Sequence, residues 1–359
     1  MTTDIEMKEP TGLITLSKDE TAVYDRQIRL WGIDAQNKLR NSKVLLLGGS
    51  QLGVEVAKTV SLAGVSEMHL IDNEKTDALD IGRNFTYDAS ADNMNNSKMH
   101  AAFNFLHNLN KNVKLEVKDY DLFSKTDQEI EEYVQNFTVV IILDNSYENT
   151  KKLNEICRKY KIRFIAGGVF GWIGYAFFDF NGHSFLTKVE KPVDYTYIEG
   201  EAPTDEKPTI TIEDIEFAPK VWSYPSFEEA FNSDWSDKKW HRKCRRNIPS
   251  SYFIIKSLLR ASKEISLTGN EDADIAELTR IWHEEVKAGN QEIESQTVQP
   301  DKFDHFFPPQ FSPSAAVLGG FIGQETIKTI SEEKLPLKNI ITYSAIESIA
   351  YLSSFPFSS

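Results

Sequence analysis

The stretch Lys43-Val-Leu-Leu-Leu-Gly-Gly-Ser-Gln-Leu-Gly53 decides the fold. After its first lysine the run to Leu47 is wholly apolar, which is typical of a strand buried on both faces of a parallel sheet. Gly48 to Gly53 form a glycine-rich turn, and residues 54–62 predict a helix that ends at Gly64. This order of strand, turn and helix is the first unit of a nucleotide-type α/β fold.

The same alternation of strands and helices continues downstream. Helices are predicted over residues 99–109 and 153–160, and the further strands are predicted over 68–71, 113–117, 139–143 and 163–166. Because strands separated by helices pair in parallel, residues 43–166 predict a Rossmann-like, doubly wound, mainly parallel sheet. One helix is predicted ahead of that sheet, from residue 18 or 19 to residue 39.

The pattern changes after Gly167. Residues 175–180 and 183–189 flank Asn181-Gly182, a residue pair that favours the turn of a two-stranded hairpin. The last predicted elements are a small-residue helix over 314–330 and short strands over 339–343 and 348–352.

Composition and pattern divide the chain into four parts. Residues 1–18 are polar and predict a flexible N-terminal arm, and the proline- and acid-rich residues 191–216 predict a connector. A helical, polar-rich pattern indicates an inserted, mainly helical subdomain over residues 217–299. The Rossmann-like domain is then split between residues 19–190 and 300–359.

The bulk numbers indicate a soluble, intracellular protein. Among 359 residues, 40% are hydrophobic and 26% charged, and the net charge of −14 argues against nucleic-acid binding. No run approaches the about 20 apolar residues of a membrane span, so no membrane association is expected. The two cysteines, Cys157 and Cys244, suggest a reducing compartment, and without any Cys-x-x-Cys pair we expect no structural zinc or other metal site.

Two features of the sequence favour a nucleotide pocket, and one argues against it. The spacing of Gly48 and Gly53 fits the dinucleotide fingerprint, and Asp72 ends the second strand where a carboxylate would hold ribose hydroxyls. The middle position, however, is Ser50, whose side chain crowds the approach to a pyrophosphate. The alternatives are a working nucleotide pocket and a scaffold that has lost its ligand, and the serine favours the second.

Other candidate residues have two interpretations each. Asp144 follows the strand over 139–143, where it could hold a magnesium ion that bridges phosphates or, more commonly, cap the next helix. Lys98 begins a helix and could reach a phosphate or be an ordinary surface lysine. Cys157 fits a core position. Cys244 lies in the basic cluster 238–246, which could activate the thiol, act as a nuclear-import signal or simply face solvent.

A second informative stretch is Tyr24-Asp-Arg-Gln-Ile-Arg-Leu-Trp-Gly32. Arg26 and Arg29 are three residues apart and share one helix face. The apolar side chains of the same helix are Ile28, Leu30 and Trp31. An apolar helix with guanidinium groups suits docking on a partner and offers charge to a phosphate, whereas the alternative is a solvated surface helix.

This stretch and the Rossmann-like half together resemble the activating enzymes of ubiquitin-like proteins. Within them the chain is most similar to the smaller, non-cysteine subunits of SUMO-activating heterodimers. The resemblance covers almost the whole chain through residues 24–32, 43–72, 167–175, 233–259 and 314–324. In this family two related adenylation domains pair pseudo-symmetrically, and the partner subunit carries the working ATP site, the catalytic cysteine, zinc-binding cysteines and a ubiquitin-fold domain.

The resemblance implies a regulatory subunit that is inactive alone. The heterodimer would adenylate SUMO with ATP and magnesium, both bound in the partner's site, pass SUMO to the partner's cysteine and then meet the SUMO-conjugating enzyme. Arg26, which matches the family's Tyr-Asp-Arg, would reach the partner's ATP phosphates in trans. The family also implies a nuclear location, with the cytoplasm as a second one.

Departures from the family's motif imply that this chain's own pocket is vestigial. The Asn-x-x-Arg-Gln-Phe segment of working sites is replaced by Gly82-Arg83-Asn84-Phe85, and the arginine expected after Asp144-Asn145 is absent. The residues of this pocket are Gly48, Ser50, Gly53, Asp72, Arg83, Lys98 and Asp144. The alternatives are a NEDD8-activating regulatory subunit, a free-standing adenylating homodimer that acts on a ubiquitin-like sulfur carrier, and a scaffold without enzymatic contribution.

Overall fold

The structure is a computed structural model that describes residues 16–87, 96–189, 216–232, 248–264, 271–299, 310–332 and 334–355. Its strands are β1 (Lys43–Leu47), β2 (Glu67–Ile71), β3 (Lys114–Lys118), β4 (Val139–Leu143), β5 (Arg163–Phe170), β6 (Ile173–Asp179), β7 (Gly182–Val189), β8 (Glu216–Ser223), β9 (Ile340–Ser344) and β10 (Ile349–Ser353). Its helices are α1 (Lys18–Val23), α2 (Asp25–Trp31), α3 (Ile33–Arg40), α4 (Gln51–Ala63), α5 (Ala78–Arg83), α6 (Lys98–Leu109), α7 (Asp127–Val134), α8 (Tyr147–Lys159), α9 (Phe227–Phe231), α10 (Ser250–Glu264), α11 (Glu271–Ala288) and α12 (Ser312–Ser331).

Eight of these strands form one sheet in the order β10-β9-β6-β5-β4-β1-β2-β3. The strands from β1 to β5 pair in parallel, whereas β6, β9 and β10 pair antiparallel on one side. The strand order reverses between β1 and β4, and ligands of such sheets bind at the carboxyl ends of the strands at that point. The predicted Rossmann-like, mainly parallel sheet is confirmed.

The apolar strands are explained by a separate apolar core on each face of the sheet. In β4, Val140 and Ile142 lie in one core, and Ile141 and Leu143 lie in the other. Because successive side chains point to opposite faces, a strand between two cores is apolar at every position.

The segment ahead of β1 differs from the single helix predicted there. It consists of α1, α2 and α3, which are separated at Tyr24 and Gly32. Gly32 adopts a φ of 87°, a conformation that ends a right-handed helix, and Tyr24 turns its ring into the interior with 2% exposure. The breaks let three short helices follow the surface of the domain.

The predicted hairpin between residues 175–180 and 183–189 is wrong. Strands are present on both sides of Asn181-Gly182, but β6 pairs with β5 and β9, while β7 pairs with β8 in a separate two-stranded sheet. Both edges of β6 are occupied inside the main sheet, so β7 must find its partner elsewhere. That partner begins at Glu216, beyond the reach of a local turn pattern.

The helices α9, α10 and α11 pack on the sheet. Phe227, Phe253 and Trp282 from these helices share one apolar core with Phe164 and Phe177 of the strands. The helical region thus adds a layer to one face of the sheet, while the predicted domain boundaries stay a prediction. The predicted arm over 1–18, the connector over 191–216 and the basic cluster around Cys244 lie wholly or largely outside the described residues.

Candidate functional site

Arg26 and Arg29 lie on α2 but differ in their surroundings. Arg29 is paired with Asp25 on the same helix, with contacts of 3.0 and 3.2 Å between the guanidinium and the carboxylate. Arg26 is exposed and makes no hydrogen bond or ion pair with any part of the chain that the structure describes. Its guanidinium is therefore available to a group outside the chain, and that of Arg29 is already neutralised.

Exposed apolar side chains lie on the helix of Arg26 and on the helices next to it. Leu30 follows it by one helical turn and is 65% exposed, and Val23, at the end of α1, is 64% exposed. Ile33 and Leu62 are exposed on the neighbouring α3 and α4. We call Val23, Leu30, Ile33 and Leu62 the N-terminal apolar surface. Such surfaces on soluble proteins are typical of protein–protein contacts.

The glycine turn leads from β1 into α4 at the point where the strand order reverses. Ser50 is the N-cap of α4, and its Oγ accepts a hydrogen bond from the Gly53 N–H at 3.3 Å. The same hydroxyl donates to Asp144 Oδ2 at 2.5 Å. The middle position of the turn is therefore engaged by a carboxylate from the end of β4. Gly53 lies inside the first turn of α4, which begins earlier than the predicted residue 54.

Asp144 lies directly after β4 and is held from two sides. Its φ is 49°, and its Oδ1 accepts a hydrogen bond from the Val169 N–H at 2.8 Å while Oδ2 accepts from Ser50. The interpretation of Asp144 as a helix cap is wrong, because Ser146 is the N-cap of α8 and accepts the N–H of Asn149. Its carboxylate instead joins the turn after β1 to β5.

Asp72 lies at the carboxyl end of β2, where the sequence predicted a ribose-binding carboxylate. It is 7% exposed, and its Oδ1 accepts the N–H of Glu74 at 3.2 Å. Its buried Oδ2 lies against Gly49 and has no hydrogen bond of good geometry. Burial raises the pKa of Asp72 to about 6. A carboxyl in this state is costly to ionise unless a ligand donates to it.

Lys98 is the first residue of α6, as predicted, but carboxylates already hold its ammonium. Nζ lies 2.8 Å from Glu74 Oε2 and 3.8 Å from Asp80 Oδ2. Sequence reasoning did not single out these two partners, although Glu74 follows Asp72 by only two residues. It also missed Tyr87, whose hydroxyl donates to the Gly49 carbonyl at 2.8 Å. No local pattern marked that tyrosine.

One cleft brings together most of the predicted pocket residues. Gly48, Ser50, Asp72 and Asp144 line it, and Gly53 and Lys98 lie beside it. The ionisable side chains among its described lining residues are Asp72, Glu74, Tyr120, Asp121 and Asp144, without a lysine or arginine. The side chain of Arg83 lies outside the described residues. The cleft therefore has the wrong charge for a triphosphate, which is normally bound by cations and free N–H groups.

Within the described ranges, another group of side chains has the chemistry of metal ligands. Glu67, His69 and Glu116 meet on β2 and β3, with His69 Nε2 at 2.9 Å from Glu67 and 3.3 Å from Glu116. Lys114 and Lys43 pair with Glu67 at 2.5 and 3.0 Å. Burial alone would raise the pKa of Glu67, but hydrogen bonds from these lysines and from His69 lower it to about 2. The group is thus an internally compensated ion-pair network.

Two further expectations can be placed in the structure. Cys157 is buried on α8, and burial raises the pKa of its thiol, which fits a core residue and not a nucleophile. Within the described residues, no helix combines the length and the apolar character that a membrane-spanning helix needs.

Comparisons with known proteins cover almost the whole chain. The model of the ThiF family matches residues 24–357. The SUMO-activating enzyme subunit aos-1 of Caenorhabditis elegans is 56% identical over 95% of this chain and 99% of its own length. SUMO-activating enzyme subunit 1 of Danio rerio is 30% identical over 95% of this chain and 96% of its own length. For the Homo sapiens protein the identity is 29%, over 96% of each chain.

A solved structure gives the same result at the level of the fold. The crystal structure of selenomethionine PaaA aligns with 97% of this chain and 77% of its own, with a TM-score of 0.54 and 14% sequence identity. At that identity the likeness shows the fold alone. Family model, relatives and fold agree over the same span: the chain belongs to the ThiF family and, within it, to the small subunits of SUMO-activating enzymes.

Proposed function

We propose that this chain is the regulatory, non-cysteine subunit of a heterodimer that adenylates the C-terminal glycine of SUMO. The heterodimer uses ATP and magnesium in the partner's site and then transfers SUMO to a cysteine of the partner. One contrast carries the proposal. The chain's own cleft is lined by carboxylates, whereas Arg26 is exposed and without a partner in the described part of the chain.

Arg26 is the residue to which we assign a role in the reaction. In adenylation a carboxylate oxygen of SUMO attacks the α-phosphate, the bond to the β-phosphate oxygen breaks, and pyrophosphate leaves with its electron pair. Negative charge develops on the α-phosphate and on the leaving group. A guanidinium stabilises such charge through two parallel hydrogen bonds. We propose that Arg26 supplies this group in trans to the partner's ATP phosphates.

We further propose that the chain's own nucleotide pocket is vestigial. Ser50 is bound to Asp144, and Lys98 is bound to Glu74, so two groups that would face phosphates are engaged with carboxylates. The described lining residues do not fit a triphosphate, because they offer carboxylates and no lysine or arginine. Neither this pocket nor a zinc site has a part in the proposed mechanism.

The partner is proposed to dock on the N-terminal apolar surface. Leu30 lies one helical turn from Arg26, so a protein that covers this leucine also receives the guanidinium. A cysteine-bearing subunit with its own adenylation domain fits the requirement, because its nucleotide must lie within reach of Arg26. The heterodimer would then present SUMO, bound to the partner's cysteine, to the SUMO-conjugating enzyme. A nuclear location stays a prediction, and the net charge of −14 supports no nucleic-acid partner.

Reconstitution tests the proposal. The chain is mixed with the cysteine-bearing subunit of the same organism, and SUMO-dependent exchange of pyrophosphate into ATP is measured for each subunit and for the pair. We expect a stoichiometric heterodimer and exchange only with the partner present. Exchange by this chain alone, as a homodimer, would instead support an adenylating enzyme of the sulfur-carrier type. Exchange that requires NEDD8 would move the chain to the NEDD8 pathway.

A further inference from the structure

Three side-chain amides close the last turn of α4. The three hydrogen bonds run from Asn110 Nδ2 to the Ser61 carbonyl (2.8 Å), from Gln27 Nε2 to the Leu62 carbonyl (2.9 Å) and from Gln36 Nε2 to the Ala63 carbonyl (2.8 Å). The last turn of a helix leaves its carbonyls short of intrahelical donors. The amides satisfy the Leu62 and Ala63 carbonyls and give a second donor to the Ser61 carbonyl, which also accepts the Gly64 N–H at 3.1 Å. We call Gln27, Gln36 and Asn110 the amide clamp.

Two of the three clamp residues belong to the segment that carries Arg26. Gln27 is its immediate neighbour on α2, and Gln36 lies on α3 and is fully buried. Trp31 Nε1 donates to Gln36 Oε1 at 3.0 Å, which ties the end of α2 to the same glutamine. The clamp therefore attaches both short helices to the end of α4.

Tyr24 anchors the start of α2 at the same place. Its hydroxyl accepts a hydrogen bond of 2.9 Å from Asn110 Nδ2, the nitrogen that also donates to the Ser61 carbonyl. Its ring covers Gly64, where an added Cβ would lie 2.5 Å from the ring carbon Cζ. Gly64 also has a φ of 84°, so only glycine suits this position without strain. The ring and the clamp thus form one junction.

This junction fixes the direction in which Arg26 points. The helices α1, α2 and α3 contain six, seven and eight residues, and helices of this length are marginal without tertiary contacts. Successive side chains on a helix are rotated by about 100°. Holding Gln27 against the Leu62 carbonyl therefore sets the rotation of α2 and, with it, the direction of the neighbouring Arg26 side chain.

We propose that the amide clamp and Tyr24 position Arg26 for the reaction in the partner's site. Gln27 and Tyr24 are thus positioning residues that act through Arg26. This inference rests on the proposed function of Arg26. A guanidinium contributes to a transition state only when it is held in place, and a displacement of about 1 Å can cost a hundredfold in rate.

A double-mutant cycle in the complete heterodimer tests the inference. Gln27→Met keeps the length of the side chain and removes the donor to Leu62. We expect SUMO-dependent pyrophosphate exchange to fall about tenfold or more at saturating ATP. In an Arg26→Ala background the same substitution should have no further effect. The thermal midpoint should stay close to wild type in both backgrounds. Exchange is measured at subunit concentrations that saturate heterodimer formation, because a rotation of α2 moves Leu30 as well as Arg26.

Two variants complete the design. Gln135→Met removes a matched amide-to-carbonyl bond, from Gln135 Nε2 to the Glu131 carbonyl on α7, and should leave exchange unchanged. Tyr24→Phe removes one hydroxyl from the junction and keeps the ring, and should lower exchange by about two- to fivefold, since one neutral hydrogen bond is lost. This variant also keeps the inference testable if Gln27→Met does not fold.

The possible outcomes distinguish the role of the amide clamp from the role of Arg26. Full exchange by Gln27→Met and Tyr24→Phe, with Arg26→Ala impaired, would overturn the clamp and leave the role of Arg26 intact. An equal loss from Gln27→Met in both Arg26 backgrounds would show that the clamp serves the fold and not Arg26. Full exchange by Arg26→Ala would overturn the proposed function and the clamp's role with it.

Discussion

Ser50 donates its hydroxyl to the Asp144 carboxylate at 2.5 Å, across the point where the strand order of the sheet reverses. In a working Rossmann turn this space belongs to the ligand's phosphates, which approach the backbone because the middle residue is glycine. Here the side chain of Asp144, directly after β4, meets the side chain of Ser50 in the turn. The contact joins two strands and engages the centre of the turn.

We predict that replacing this serine alone does not restore nucleotide binding. Ser50→Gly removes the hydroxyl, but Lys98 stays paired with Glu74 and the cleft keeps its carboxylates. Calorimetry with magnesium-ATP should detect no binding by the isolated chain, as wild type or as Ser50→Gly, and one nucleotide per heterodimer. Micromolar binding by either isolated protein would contradict the vestigial pocket.

A second prediction concerns Asp72 and pH. The pKa of this carboxyl is about 6 in the folded chain and near its ordinary value of 3.8 when unfolded. The folded state therefore binds the proton more tightly, and this contribution to stability is present below about pH 4 and lost as pH rises through 6. Because asparagine does not titrate, Asp72→Asn does not lose stability in this way as the pH rises.

The expected gain for Asp72→Asn over wild type grows between pH 4 and pH 7, to at most about 3 kcal/mol in the free energy of unfolding. Urea denaturation at several pH values measures it. Because all other groups titrate in both proteins, the difference between the two curves isolates Asp72. A difference that does not change with pH would show that the carboxyl titrates normally.

Two glycines should respond to alanine in opposite directions. Gly64→Ala places a methyl group against the Tyr24 ring at a φ of 84°, and we expect a loss of about 2–4 kcal/mol in the free energy of unfolding. Gly320→Ala lies inside α12 with open space around it, and should gain about 0.5–1 kcal/mol. Chemical denaturation of the isolated chain gives both values, and a gain in stability from Gly64→Ala would contradict both the close Tyr24 ring and the strained φ.

The N-terminal apolar surface gives a prediction about assembly. Leu30→Glu would bury an unpaired carboxylate under the partner, and we expect heterodimer affinity to fall about tenfold or more. Leu352→Glu changes a leucine of similar exposure on the edge strand β10 and should leave affinity unchanged. Analytical ultracentrifugation compares the two, and equal affinities would place the partner elsewhere.

The sheet could be predicted from the sequence because its signals are local. The apolar run over Lys43–Leu47 and the turn after it depend only on neighbouring residues, and Ser50 was identified as an obstacle from its position in the turn. The predicted hairpin failed because its true partner strand is distant in the sequence. The Asn181-Gly182 turn pair favoured a hairpin between adjacent segments, whereas β7 pairs with β8, which begins at Glu216.

The site required contacts that no local pattern contains. Lys98 meets Glu74 across more than twenty residues, and Gln27 meets Leu62 across thirty-five. The pairing of Arg29 is the exception, because Asp25 precedes it by four residues and an i,i+4 acid–base pair is a local pattern that the sequence contains. Arg26 has no carboxylate four residues before it, since that position is Ala22 and not an acid.

The direct test of the account is pyrophosphate exchange by heterodimers with Arg26→Ala or Arg29→Ala. We expect Arg26→Ala to lower SUMO-dependent exchange about 10²–10³-fold, in the range found when a charge-stabilising donor is lost. Arg29→Ala removes a guanidinium of the same helix that Asp25 already neutralises, so its rate should stay within about twofold of wild type. Wild-type exchange by Arg26→Ala, in a heterodimer of unchanged affinity, would contradict the account.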